Sequence, residues 1–96
     1  MNFKEFTQSG LPNAWIKEPG VDLYVRKSIR PYDFDLANLS AVHPGHGAFT
    51  RFLDAHEPHY TFFVENIMNQ RLVGYLLKRG YTVATNCPDF PSMAIQ

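Results

Sequence analysis

The fold is decided by residues 34–53, FDLANLSAVHPGHGAFTRFL. The first part, Phe34 to Val42, has the apolar content of a strand. The last part begins a helix that we predict from Ala48 to about His56, because its apolar residues recur at helical spacing. Gly45 and Gly47 lie in the turn between them. A strand that enters a helix through such a turn directs backbone N–H groups at one point, where the helix dipole favours negative charge. The stretch therefore predicts an anion-binding turn.

Alternation within this strand predicts which residues share a face of the sheet. We expect one face to carry Phe34, Leu36, Asn38 and Ser40, and the other to carry Asp35, Ala37, Leu39 and Ala41. Apolar residues occur on both faces, which is typical of a central strand.

The remaining elements are predicted from periodicity and from turn residues. Met1 to Pro19 contains Gly10, Pro12 and Pro19, and we expect an irregular arm with at most one turn of helix. The other predicted elements are strands at Val21–Arg30, Tyr60–Glu65 and Tyr81–Ala84, a helix at Met68–Arg79, and an edge strand around Met93–Ile95.

This order predicts an α/β fold with a mixed sheet and a strand-helix-strand-helix core. Residues 1–96 form a single domain in this interpretation, with an irregular arm over 1–19 and the core over 21–96. A strand-helix-strand crossover places its two strands side by side and parallel. The strands beginning at Phe34 and Tyr60 should therefore be neighbours, with the anion-binding turn at their carboxyl ends, where open sheets bind ligands.

Composition excludes several classes of protein. Nine basic residues balance nine acidic ones, so no overall charge attracts nucleic acid or anionic lipid. No apolar run approaches the roughly 20 residues that span a bilayer, and no signal peptide is evident. A lone cysteine, Cys87, excludes an internal disulfide. We therefore expect a cytoplasmic protein that binds neither nucleic acid nor membrane.

Four motifs in order resemble the GCN5-related N-acetyltransferases. They are Leu36–Pro44 before the turn, the glycine turn itself, Phe63-Val-Glu-Asn66, and Asn69-x-Arg-Leu72 followed by Lys78-Arg-Gly-Tyr81. The resemblance covers about half of the chain. It implies an acyl-CoA N-acyltransferase-like fold that binds acetyl-CoA, or another acyl-CoA, and transfers the acyl group to an amine of a small molecule or a protein without a covalent enzyme intermediate.

The resemblance also implies the contacts of the cofactor. Backbone N–H groups of Gly45, His46, Gly47 and Ala48 would hold the pyrophosphate, because glycine lets the backbone approach closely. Backbone groups of Leu39, Ala41 and Val42 would pair with the pantetheine arm, and a backbone N–H near Ala41 or Val42 would polarise the thioester carbonyl. Asn66 and Asn69 would hydrogen-bond the same arm; plain helix capping is the other interpretation of these two residues.

Three residues are candidates for catalysis. Glu65 and Asp35 are carboxylates on neighbouring strands that could act through water as a general base, or could simply be solvated. In the family, a tyrosine seven residues after the helix asparagine is often the general acid. Counting from Asn69 gives Leu76, with Tyr75 one place early, and one residue rotates a helical side chain by about 100°. Tyr75 is therefore either an acid or a core residue.

The resemblance leaves the amino end short, because the family has a strand and two helices before its second strand. We expect the strand at Val21–Arg30 to be an exposed edge that a homodimer, or a host protein, covers together with the arm. The alternative function is a non-catalytic member of the fold, of a type encoded by bacteriophages, that binds a protein partner. His43-x-x-His46 and His56-x-x-His59 could suggest zinc, but neither pair has the fixed face of a zinc helix, and no metal is predicted.

Overall fold

The computed structural model describes residues 1–41, 47–65, 67, 70–85 and 91–95 of the 96-residue chain. Within these ranges the chain forms three helices and six strands. In chain order they are α1 (Phe3–Ser9), β1 (Asn13–Glu18), β2 (Val21–Lys27), β3 (Phe34–Ala41), α2 (Ala48–His56), β4 (Phe62–Val64), α3 (Gln70–Arg79), β5 (Thr82–Thr85) and β6 (Ser92–Ala94).

The six strands form one mixed sheet in the order β1-β2-β3-β4-β6-β5. β3 and β4 are parallel, and the other neighbouring pairs are antiparallel. The predicted α/β class with a mixed sheet is confirmed, as are the parallel β3 and β4 and the bounds of α2. Among the described residues, no helix has both the length and the apolar character needed to cross a membrane.

All three helices contribute to one core on one face of the sheet. The helices supply Phe3, Phe6, Ala48, Phe52, Leu53 and Leu76 to the buried cluster. The strands supply alternate residues, as expected for a sheet with one covered face: Ile16, Val21, Leu23, Val25, Phe34, Leu36, Phe62, Val64 and Met93. The opposite face, which we call the open face because no described helix packs on it, carries the intervening residues, including Tyr24 and Arg26. Four residues of this face are nevertheless buried: Asp35, Phe63, Ser92 and Ala94.

The predicted irregular arm is wrong, because residues 1–19 form a helix and a strand. Asn2 and Glu5 form a capping box at the start of α1, and Gly10 ends the helix in the left-handed conformation at φ 75°. Phe3 and Phe6, three residues apart, are fully buried. Glycine and proline in this segment therefore mark the ends of regular elements.

The expectation of an exposed edge at β2 is also wrong. β1 pairs with β2 along its whole length, from Asn13 opposite Arg26 to Glu18 opposite Val21. The homodimer was expected because β2 lacked a neighbour, and that premise no longer holds. The strand predicted at the carboxyl edge is β6, and it lies inside the sheet between β4 and β5, with all three residues buried.

A β-bulge changes the predicted faces of β3. Val25 pairs with Leu36, but the preceding residue, Tyr24, pairs with Asn38, so Ala37 is an extra residue. Cross-strand partners share a face, which puts Asn38 on the open face with Tyr24 and opposite to Leu36. The alternation predicted from the sequence is therefore correct before Ala37 and wrong at Asn38.

We predict that Phe3→Ala lowers the free energy of unfolding by about 3–5 kcal/mol, the usual cost of removing a buried aromatic ring. Phe3 is fully buried, and its ring lies 5.1 Å from that of Phe34 and 5.3 Å from that of Phe52. Urea unfolding followed by circular dichroism measures the loss. Lys4→Ala, at an exposed position of the same helix, is the control and should change stability by less than about 1 kcal/mol. Equal stability of the two variants would contradict the docking of α1 on the core.

Candidate functional site

The two parallel strands part soon after they meet. β3 pairs with β4 only from Phe34 to Leu36, and the last link is the Glu65 N–H donating to the Leu36 carbonyl at 3.0 Å. Beyond this point β3 continues alongside β2 as far as Ala41. The chain after β4 turns the other way, because the Ile67 N–H donates to the carbonyl of Pro91, next to β6, at 2.8 Å.

The result is a gap beside β3 at residues 37–41. In a strand, backbone groups alternate between its two sides, and here one side is taken by β2. Among the described residues, no strand pairs with the other side of this segment. An extended ligand with amide groups can therefore add to the sheet here, as peptides add to exposed strands.

Two glycine turns meet at the amino end of α2. Gly47 is the N-cap at φ 74° and makes no side-chain cap, which leaves the first N–H groups of the helix available to an anion. Gly20, in the β1–β2 turn at φ 82°, lies so close that a Cβ added there would be 2.9 Å from the Cβ of Ala48. The β1–β2 turn therefore forms a wall beside the start of α2.

Arg51 adds positive charge to this wall. Its Nη1 is 3.6 Å from the position that a Cβ on Gly47 would take, and its Nη2 is 4.0 Å from the equivalent position on Gly20. The predicted anion-binding turn thus gains a guanidinium that the sequence interpretation missed. The available signal was an arginine one helical turn after the glycine turn, on the same face as the N-cap.

Asp35 and Glu65, predicted separately as candidate bases, lie together on the open face. Two arginines join them. Arg26 Nη2 contacts Glu65 Oε1 and lies 3.4 Å from Asp35 Oδ2. Arg30 Nη1 lies 3.5 Å from Glu65 Oε1 and 3.7 Å from Asp35 Oδ2. Burial differs within the cluster, because the Asp35 side chain is 3% exposed, that of Glu65 12%, and that of Arg30 42%.

This cluster lines a cavity of about 500 Å³, which we call the carboxylate cleft. Its walls are Arg26, Lys27, Ile29, Arg30, Asp35, Phe63, Glu65 and Ser92. The loop between β2 and β3 forms one side, and the hydrogen bonds of Asp33 with Thr61 hold that loop against the start of β4. Asp35 Oδ1 is buried and makes no hydrogen bond within the described part of the chain.

Tyr75 lies on the other side of the sheet, among the helices. It packs against the core, and its hydroxyl accepts a hydrogen bond from Thr50 Oγ1 at 2.8 Å and from Arg79 Nη1 at 3.1 Å. Tyr75 is thus not brought together with Asp35 and Glu65. Its hydroxyl instead belongs to a polar network that links α2 to α3.

The same network fixes the end of α2 to the end of α3. Arg79 Nε donates to Glu57 Oε1 at 2.8 Å, and the Tyr81 hydroxyl donates to Glu57 Oε2 at 2.6 Å. The hydrogen bond to Glu57 is the main reason why the pKa of Arg79 is raised. Burial, followed by the hydrogen bond to Glu57, raises the pKa of Tyr81. Both groups therefore keep their protons, and the network is structural.

A second, smaller cavity of about 220 Å³ lies beside α2, lined by Glu18, Pro19, Ala48, Arg51, Phe52, Ala55 and His56. His56 Nε2 is 3.8 Å from Glu18 Oε1, and its ring lies 4.5 Å from that of Phe3. Burial lowers the pKa of His56, with Glu18 acting in the opposite direction. Among the described residues, no three His, Cys, Asp or Glu side chains group closely enough to hold a metal ion.

Several predicted site residues lie outside the described residues, namely Val42, Gly45, His46, Asn66 and Asn69, and so do His43 and Cys87. For Leu39 and Ala41 the structure gives the pairing of β3 with β2. Comparison of the chain with protein-family models, with curated proteins and with solved structures found no match.

We predict that Tyr75→Phe lowers the free energy of unfolding by about 1 kcal/mol and lowers any acyl-transfer rate by less than tenfold. The reason is that the hydroxyl joins Thr50 to Arg79 and lies away from the carboxylate cleft. Urea unfolding and the rate of thiol release measure the two effects. Thr50→Val, which removes the other partner, is the matched control and should give a similar loss of stability. A hundredfold loss of rate with unchanged stability would instead identify Tyr75 as the acid.

We predict that the protein loses stability as the pH falls through 6.5, in part because of His56. Its pKa in the folded state is lower than the ordinary value of 6.5, so the unfolded chain binds the proton more tightly and gains from acidification. His56→Gln should reduce this loss, and His59→Gln, at an exposed position, should retain most of it, because His59 is the smallest of the three influences on the pKa of His56. Thermal unfolding across this pH range measures the slopes. Identical slopes in the parent protein and His56→Gln would contradict the assignment.

Proposed function

We propose that this chain binds an acyl-CoA between β3 and the end of β4 and transfers the acyl group to an amine in the carboxylate cleft. The observation that carries the proposal is the parting of the two strands at Leu36 and Glu65. The unpaired side of β3 begins at that place, next to Asp35 and Glu65, and β3 continues to Ala41, with the glycine turn that begins α2 further along the chain. The thioester supplies the activated acyl group, and the chain supplies position and charge.

The start of α2 supports the proposed binding of the pyrophosphate of the acyl-CoA. Gly47 has a positive φ and no side-chain cap, so its surroundings present N–H groups without a Cβ in the way. Arg51 lies beside the same turn and provides a charge suited to a pyrophosphate. This end agrees with what the resemblance to the acetyltransferases implies for Gly47 and Ala48.

The gap beside β3 supports the proposed binding of the pantetheine arm. Its two amide groups need backbone partners, and residues 37–41 of β3 have one side without a strand among the described residues. The bulge at Ala37 contributes to this gap, because a bulge bends its strand and ends regular pairing. The resemblance implies the same segment, Leu39 to Val42, for this role.

The amine end is assigned to Glu65 and Asp35. The amine nitrogen forms the new C–N bond to the acyl carbon, the C–S bond breaks, and the thiolate leaves with CoA and takes up a proton. The proton that the nitrogen loses passes to Glu65, directly or through water, because Glu65 is the more accessible carboxylate and follows the last residue of β4. Asp35, almost fully buried, holds Arg26 and Arg30 in place.

A second candidate is a non-catalytic protein that keeps the acyl-CoA site and binds a protein partner. The hydrogen bonds of the Tyr75 hydroxyl to Thr50 and Arg79 favour it, because they hold that hydroxyl away from a leaving thiolate. Release of free thiol from acetyl-CoA, with and without a panel of amines, separates the two. Binding of acetyl-CoA without amine-dependent release would support the second candidate.

We predict that the protein binds acetyl-CoA with a micromolar dissociation constant, about −8 kcal/mol or weaker, and that Gly47→Glu abolishes binding. A glutamate would place both a side chain and a negative charge in the phosphate position. Titration calorimetry measures the constants.

Gly47→Ala is the matched control, since it shares the backbone strain of about 1–2 kcal/mol at a positive φ but adds no charge. It should weaken binding by less than tenfold. Circular dichroism confirms that each variant is folded. Unchanged binding by a folded Gly47→Glu variant would overturn the placement of the phosphates.

A further inference from the structure

The carboxylate cleft contains charges of both signs in close contact. Arg26, Lys27 and Arg30 bring positive charge, and Asp35 and Glu65 bring negative charge. A ligand of a single sign would gain from one set and be repelled by the other. A ligand that carries both charges close together can satisfy both sets.

The positive group suited to a ligand is Arg30. It lies in the loop between β2 and β3, its side chain is 42% exposed, and its contacts with the two carboxylates are long, at 3.5 and 3.7 Å. The guanidinium also lies 4.4 Å above the centre of the Phe63 ring, which holds it at the wall of the cleft. A guanidinium has five N–H donors, so Arg30 can take a ligand carboxylate in bidentate fashion.

The negative group suited to a ligand is Asp35. Its Oδ2 faces both arginines, whereas Oδ1 is buried and has no hydrogen-bond partner among the described residues. A buried acceptor without a donor is unusual in a folded protein. Asp35 lines the cleft, but Oδ1 has almost no exposed surface, so an ammonium group that supplies the missing donor must shift the side chains beside it.

The remaining walls are apolar. Phe63 forms the floor, with the Tyr32 ring stacked at 5.4 Å on it, and Ile29 stands at the rim with its side chain 97% exposed. Phe63 is only 1% exposed, so an aliphatic or aromatic group on the ligand would cover mainly Ile29. The volume of about 500 Å³ is ample for a small molecule of this kind.

We propose that the carboxylate cleft binds a free α-amino acid with an apolar side chain. Its carboxylate pairs with Arg30 and its ammonium with Asp35. The two charged groups of an α-amino acid are two bonds apart, and the two charges that would face them are also close, since Arg30 Nη1 lies 3.7 Å from Asp35 Oδ2. That the amino acid is the acyl acceptor rests on the proposed function, but its binding does not.

The test is titration of the full chain, without acyl-CoA, by NMR or calorimetry. Three probes share one side chain: L-leucine, L-leucinamide, which lacks the carboxylate, and 4-methylpentanoate, which lacks the ammonium. We expect leucine to bind at least about tenfold more tightly than either analogue, because only leucine makes both charged contacts. Phenylalanine and alanine extend the series to larger and smaller side chains.

Arg30→Gln should reduce the affinity for leucine to the affinity that the parent protein has for leucinamide. The affinity for leucinamide itself should change by less than twofold. This residue lies in an exposed loop, so the variant should keep the fold, and thermal unfolding verifies it. Asp35→Asn should reduce the affinity for leucine to the affinity that the parent protein has for 4-methylpentanoate. Lys78→Gln, an exposed charge on α3, is the control and should change nothing.

Three outcomes would overturn the proposal. If leucinamide binds as tightly as leucine, the cleft recognises only the amine. If 4-methylpentanoate binds as tightly as leucine, the cleft recognises only the carboxylate. If leucine, phenylalanine and alanine all fail to show saturable binding, the arginines and carboxylates of the cleft form a structural ion-pair network. Acetyl-CoA calorimetry on the same sample separates the two proposals, since either ligand can bind when the other does not.

Discussion

The structure depends on the short parallel pairing of β3 with β4. Three residue pairs, Phe34 with Phe62 through Leu36 with Val64, join the part of the sheet built from β1 and β2 to the part built from β5 and β6. Buried rings reinforce this junction from the helix side, with Phe34 lying between Phe3 and Tyr60. The junction ends at Leu36, one residue before the bulge at Ala37, and its shortness leaves the gap that we assign to a ligand.

The sequence was most informative where the spacing of apolar residues and the position of glycine and proline indicate the same element. α2 has its apolar residues at helical spacing between a glycine turn and Pro58, and its predicted bounds are those observed. The strands around it follow from the crossover rule. The bulge at Ala37 could not be predicted, because an extra residue in a strand depends on what its neighbour β2 pairs with. In the amino-terminal segment the two signals conflict, because Asn2 and Glu5 form a capping box that begins a helix, whereas Gly10 and Pro12 favour irregular structure.

The candidate site was predictable in part. Asp35 and Glu65 were identified as strand carboxylates, but their meeting in one cleft depends on register, which pairs Asp35 with Phe63. Arg26 was visible as a residue on the opposite face from Val25. Arg30 was not, because its position is set by a loop whose path depends on the hydrogen bonds between Asp33 and Thr61. For Tyr75 the sequence was informative. Its position on the helix is one residue away from that of the family's general acid, and its hydroxyl is hydrogen-bonded to Thr50 and Arg79.

The single covered face of the sheet has a consequence for how this protein can change. Apolar burial lies almost entirely on the helix side, so the residues that maintain the fold and those that line the cleft occupy opposite sides of the same strands. Substitutions at Lys27, Ile29 or Arg30 alter the cleft without opening a cavity in the core. Ligand preference in this architecture can therefore change through these exposed residues while thermodynamic stability is retained. Asp35, Phe63 and Ser92 are the exceptions, because they line the cleft and are also buried.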